Sequence, residues 1–140
     1  MMSLYNKILL LLDCSPVDDV IITHIEKLAQ IHKSHIHLFH VIHVHTLDQK
    51  RIEVERTKKC IQETEKRLRT KGISVSHSTS EGEPEKEVIK KINEYDCDLI
   101  AMATHGHRGI ADFLTGSISD IVKHNTNTPV LLIKAPKSNK

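Results

Sequence analysis

The sequence predicts a three-layer α/β/α sandwich built on a five-stranded parallel sheet of order 3-2-1-4-5. Three observations predict it. Short continuous apolar runs alternate with longer stretches whose apolar residues recur at helical spacing, in the order βα βα βα βα β. The runs are apolar without alternation, as strands covered by helices on both faces must be. The length, 140 residues at 39% hydrophobic content, fits a single domain over 1–140 with one core. Strand–helix–strand units close as parallel pairs with right-handed crossovers.

The first strand is read at Lys7 to Leu12 (KILLLL) and ends at Asp13-Cys14-Ser15-Pro16. Ser15 or Asp18 is placed to cap the next helix, and Pro16 suits its first turn. Val20, Ile21, Ile25, Leu28, Ala29 and Ile31 then mark a helix from about Val17 to His32, which ends in Lys33-Ser34. Ile36 to Val44 reads as the second strand. A charged helix from about Thr46 to Lys71 follows, with Leu47, Val54, Ile61 and Leu68 spaced by sevens. The second seam position of each heptad holds Arg51, Lys58 or Glu65, which favours a helix lying on a sheet over a coiled coil. Gly72 stops it. Ile73 to Ser78 alternates, as an edge strand would. Pro84 opens a third helix with Val88, Ile89 and Ile92 inside. Asp98 to Ala103 and Pro129 to Ile133 supply the last two strands, and a polar tail follows.

The core must be Ile, Leu and Val, because aromatics make up 3% and Trp is absent. The net charge of +2, with no basic block, argues against nucleic acid or an anionic membrane as partner. The apolar run Ile8 to Leu12 is too short for a signal segment or a membrane span. Cys14, Cys60 and Cys97 lie far apart without a CxxC, so neither a disulfide framework nor a zinc knuckle is expected. The expectation is a soluble, reduced, cytoplasmic protein.

The chemistry concentrates between Asp98 and Ser119. An apolar strand runs into Thr104-His105-Gly106, and Gly116-Ser117 opens a helical segment with Ile118, Ile121 and Val122. Glycines let backbone N–H groups approach an anion, and a helix N-terminus presents unpaired donors, so the pair of turns suits a phosphate. By itself the pattern fits equally an ordinary strand–loop–helix whose glycines serve turn geometry. Topology adds weight: in such sheets ligands bind beyond the strands' carboxyl ends where the strand order reverses. That reversal falls between the first strand, ending at Asp13, and the fourth, ending at Thr104.

ILLLLDCSP, HVIHV, EGEPEKEVI, DCDLIAMATHG, TGS and TPVLLIK together resemble the universal stress protein family over essentially the whole chain. The resemblance implies an adenine nucleotide alpha hydrolase-like, Rossmann-like fold. The nucleotide-binding members carry glycine, two residues, glycine, nine residues, glycine, then Ser or Thr. Gly106, the span His107 to Thr115, Gly116 and Ser117 match, while Ala103 stands at the first glycine. The resemblance implies ATP, or AMP or ADP, bound with Mg²⁺ held through the phosphates. It implies that Asp13 accepts from ribose hydroxyls and that Val41 reads the adenine edge through its backbone. Gly106, Gly116, Ser117 and Ser119 would hold phosphates. Arg108 is either a phosphate partner or a solvated loop residue, and Gly109 is extra to the motif. It also implies a homodimer paired through the last strand, Val130 to Ile133. An apolar edge strand left unpaired would invite aggregation, which points the same way.

Other chemistries find no support in the sequence. His35, His37, His43 and His45 lie near one strand, and His105 and His107 flank Gly106, but no acid or cysteine completes a metal set at recognisable spacing. GxxxxGK[ST], GxGxxG after the first strand and GxSxG are all missing. Cys14 lacks the arginine of a phosphatase loop. The expected function is therefore an adenine-nucleotide-binding stress protein, with at most slow hydrolysis. The alternative is a nucleotide-free interaction protein on the same fold, which Ala103 keeps open. A phosphate-ester hydrolase is the weaker third.

Overall fold

The computed structural model describes residues 3–43, 46–104 and 116–135. Five strands, β1 (Lys7–Leu11), β2 (His35–Ile42), β3 (Ser74–Glu81), β4 (Leu99–Thr104) and β5 (Val130–Lys134), alternate with four helices. These are α1 (Asp18–His32), α2 (Leu47–Thr70), α3 (Pro84–Glu94) and α4 (Gly116–His124). The strands form one parallel sheet in the order β3-β2-β1-β4-β5, as the sequence predicts.

Side chains of successive strand residues point to opposite faces, and β1 shows both. Ile8 and Leu10 join the core under α1 and α2, with Ile21, Ile25, Ile61 and Leu68. Leu9 and Leu11 join the core under α3 and α4, with Val88, Ile118 and Val122. Each such side chain contributes about 1.5–3 kcal/mol by leaving water. Arg67 of α2 ties the two helices of the first face together, bonding Glu26 at 2.6 Å and Asp19 at 3.0 Å on α1.

The element ends follow local chemistry. Thr46 caps α2 by accepting from the Gln49 N–H at 3.1 Å. Gly72, at φ +78, closes it: its N–H reaches Arg69 O at 2.9 Å and the Ile73 N–H reaches Leu68 O at 3.1 Å. Pro84 occupies the first turn of α3.

Three expectations are corrected. Asp18 does not cap α1, while Ser15 takes the Val17 N–H on its hydroxyl at 3.4 Å and the Asp18 N–H on its carbonyl at 3.0 Å in the turn that enters the helix. Val17 stands at the cap with no bond from its own side chain, and the Asp18 carboxylate turns back to the preceding loop. The heptad seam of α2 is buried only where the helix lies over the sheet: Ile61 and Leu68 are in the core, while Leu47, on the first turn, is 83% exposed. And Cys14 and Cys60 are paired as a disulfide, with Cα atoms 5.8 Å apart across 46 residues of sequence.

Candidate functional site

β1 is the shortest of the three central strands at its carboxyl end. Its last rungs are Leu11 with Phe39 on β2 and Leu11 with Met102 on β4. β2 continues through His40, Val41 and Ile42, paired onward to β3, and β4 continues through Ala103 and Thr104, paired onward to β5. A notch therefore opens above the end of β1, walled by two longer strands, at the point where the strand order reverses. On the flank facing the notch, no β1 rung engages the backbone of Val41.

The floor of the notch is the loop after β1. Asp13 and Val41 line one narrow, mostly apolar hollow there, together with Leu11, Phe39, His40 and, from α3, Val88. Of the residues the sequence singled out, these two are brought together. Ala103 is buried in β4, opposite Ile133. Gly116 and Ser117 open α4, and Ser119 is buried one turn in. Gly106, Arg108 and Gly109, with His105, His107 and His45, lie outside the described residues.

The loop is held from several sides. Asp18 accepts the Asp13 N–H at 2.9 Å and the Cys14 N–H at 2.7 Å. Arg56 of α2 donates to the Cys14 carbonyl at 2.6 Å and is steadied by Glu53 at 2.8 Å. His40 bonds the Leu12 carbonyl through Nδ1 at 2.8 Å, so this nitrogen is the one that carries the proton. The Cys14–Cys60 disulfide adds a covalent tether. Cys14 itself sits at φ +57, a left-handed conformation that a residue with a Cβ adopts at a cost. The Asp13 carboxylate accepts from the Ser15 hydroxyl at 2.5 Å, which orients it.

Burial sets the charges. The Asp18 carboxyl is pushed up to about 7, chiefly by burial and further by the neighbouring Asp13 charge, against the pull of its backbone N–H bonds. Burial also lowers His40, which favours the neutral ring. Such a site can accept hydroxyls at Asp13 and offer backbone donors and acceptors along Val41, beside the apolar side chains of Phe39 and Val88. Asp18, His40, Arg56 and Cys60 are missed by sequence reasoning. The one signal for them is a buried acid directly after a strand turn, and it reads more simply as a helix cap.

His35 and His37 do share a strand face, but their partners are hydroxyls. His35 bonds Ser74 at 2.6 Å and Ser76 at 2.8 Å, and His37 bonds Ser76 at 2.7 Å and Ser78 at 2.8 Å. His43 turns away and bonds the Gly82 carbonyl at 3.0 Å.

Comparison with known proteins agrees with this architecture. Universal stress protein MJ0577 of Methanocaldococcus jannaschii is 25% identical over 96% of this chain and 98% of its own length. The solved structure of MJ0577 superposes with a TM-score of 0.78 at 26% identity, covering 96% and 99% of the two chains. The universal stress protein from Archaeoglobus fulgidus, solved in complex with dAMP, matches at TM-score 0.69 and 19% identity over 94% and 99%. A universal stress protein family protein from Arabidopsis thaliana, solved with AMP bound, matches at 0.70 and 14% over 94% and 92%. The Universal stress protein family model spans residues 4–134. Sheet order, core and sequence thus converge, and the chain belongs to the universal stress protein family.

Proposed function

We propose that this chain, as a single universal stress protein domain over 1–140, binds an adenine nucleotide in the notch above β1 and serves in a stress response. The observation that carries the reading is the early stop of β1 between longer β2 and β4, with Asp13 and Val41 on one hollow. AMP and dAMP bound to two relatives of the same fold support it. Asp13 accepts from the ribose hydroxyls. The free backbone edge of Val41 meets the adenine, and Phe39 and Val88 offer the apolar surface its ring needs. Gly116, Ser117 and Ser119, at the start of α4, are the proposed phosphate partners, together with Gly106 and Arg108 of the motif. ATP is the nucleotide proposed, with Mg²⁺ entering on its phosphates. Among the described residues no base is placed to activate water, and the hydrolysis we propose is at most slow.

The proposed assembly is a cytoplasmic homodimer. β5 lies at the sheet edge with Val130 to Ile133 half-buried, which leaves an apolar strand for a second copy to cover. Among the described residues no helix is long and apolar enough to cross a membrane.

Calorimetry with Mg·ATP, ADP and AMP tests the reading. Heat of binding and a raised melting temperature are expected, and Gly116→Val should abolish both. Silence at millimolar nucleotide would leave the nucleotide-free interaction protein as the function.

A further inference from the structure

We propose that Cys14 and Cys60 form a reversible thiol–disulfide site that sets the order of the loop carrying Asp13. Its link to ligand occupancy rests on the nucleotide reading above. Three observations meet here. First, the pair joins the residue next to Asp13 to the middle of α2, and a Cα separation of 5.8 Å suits the bond without backbone movement. Second, Cys14 is left-handed at φ +57 and is held there by Asp18 on its N–H, Arg56 on its carbonyl and the disulfide on its side chain. A conformation of that kind persists only while its surroundings over-determine it. Removing the covalent tether therefore loosens the Asp13–Cys14 backbone first. Third, a surface groove between α1 and α2, bordered by Pro16, Asp19 and Glu63, is lined by both cysteines, Cys14 buried and Cys60 half-buried. A small reagent reaches the pair from that groove.

The chemistry closes with two ordinary reagents. A low-molecular-weight thiolate attacks Cys60 Sγ, the S–S bond breaks and Cys14 leaves as thiolate, taking a proton from solvent. A second thiolate then resolves the mixed disulfide, which releases Cys60 and a small-molecule disulfide. In the other direction a cysteine thiolate attacks hydrogen peroxide, the O–O bond breaks, and a sulfenic acid forms with hydroxide, which takes a proton from solvent to become water. The partner thiol displaces a second water and restores the bond. Cys97 is a built-in control: it is a free thiol, pushed up to about 11 chiefly by burial, and should react slowly in both forms.

The test uses the full chain, oxidised with peroxide or reduced with dithiothreitol. Thiol alkylation with peptide mapping reads the bond, amide hydrogen exchange reads the loop and an Mg·ATP titration reads the site. Peroxide should link the Cys14 and Cys60 peptides. Reduction should speed exchange at the Asp13 and Cys14 amides by about tenfold or more and weaken nucleotide binding by about threefold or more. Cys60→Ser should behave as the reduced form under both conditions. Equal exchange in the two redox forms overturns the proposal. So does reduced protein that retains added Zn²⁺ on Cys14, Asp18 and Cys60 and resists peroxide, since those three groups are close enough to share an ion. If exchange responds while neither form binds nucleotide, the redox site stands and the nucleotide reading falls.

Discussion

Both carboxylate oxygens of Asp18 face the N–H of Asp13, at 2.9 and 3.1 Å. The first residue of α1 thereby fixes a residue of the loop after β1, and the candidate ribose ligand is positioned through its own backbone as well as through the Ser15 hydroxyl on its carboxylate.

That arrangement makes Asp18 a titrating group near neutrality. Its folded value of about 7 lies above the ordinary 3.8, so the folded protein keeps a proton that the unfolded chain releases. Its contribution to stability is full below pH 3.8 and is lost as pH rises to about 7. Carboxyl ¹³C shifts, assigned with Asp18→Asn, should show one aspartate with a midpoint near 7. An Asp18 midpoint below about 5 rejects the burial argument. Asp18→Ala, which orphans two backbone donors, should destabilise by about 2–3 kcal/mol.

His37 should bend the same curve the other way. Its ring is stacked on Tyr95 with centroids 4.7 Å apart, and both ring nitrogens are bonded to serine hydroxyls. Burial first, and then the charges of Lys91, His35 and His77, lower it to about 4 from 6.5. Stability from this group is present above pH 6.5 and lost as pH falls toward 4, opposite in sign to Asp18 over the shared window. Urea midpoints across that window should therefore rise with pH more steeply in Asp18→Asn than in the parent, and less steeply in His37→Gln. Parallel curves for all three proteins would show that neither group is linked to folding.

The fold was legible because parallel strands buried on both faces leave uninterrupted apolar runs, and Gly72 and Pro84 punctuate the chain where the helices stop and start. The floor of the notch was legible at Asp13 and Val41 through the strand ends and the family's motifs. What holds that floor was not. Cys14 and Cys60 meet across 46 residues of sequence, and no local pattern encodes that meeting. Asp18 has the identity and position of a helix cap, and only the left-handed turn at Cys14 swings the loop's amides onto its carboxylate. Leu47 keeps the heptad spacing, but α2 outruns the sheet it covers. Spacing gives the direction of a side chain around a helix and says nothing about where the neighbouring layer ends.

Thr57 points to a stabilising change. It is 2% exposed on the sheet-facing side of α2, and its hydroxyl has no hydrogen-bond partner. A buried hydroxyl without a partner costs about 1–3 kcal/mol, and valine keeps the shape while removing the polar atom. Thr57→Val should raise stability by about 1 kcal/mol, read as a higher denaturant midpoint with an unchanged slope. A loss of stability would mean that the hydroxyl is satisfied in solution.

Ala103 separates stability from ligand approach. The family's nucleotide-binding motif has glycine at this position, where backbone and ligand come close. In this chain the methyl is buried within β4, packed in the core shared with Ile8 and Leu10. Ala103→Gly removes that methyl, worth about 0.8 kcal/mol by transfer, and gives the unfolded chain extra freedom worth about 0.5–1 kcal/mol. The variant should therefore lose about 1–2 kcal/mol in denaturation without nucleotide. Its Mg·ATP affinity should hold or improve, because the methyl is packed into the core. Weaker binding by a variant that is still folded would show the reverse: that the methyl shapes the strand end the nucleotide needs, and that alanine is an adaptation of this site rather than of the sheet.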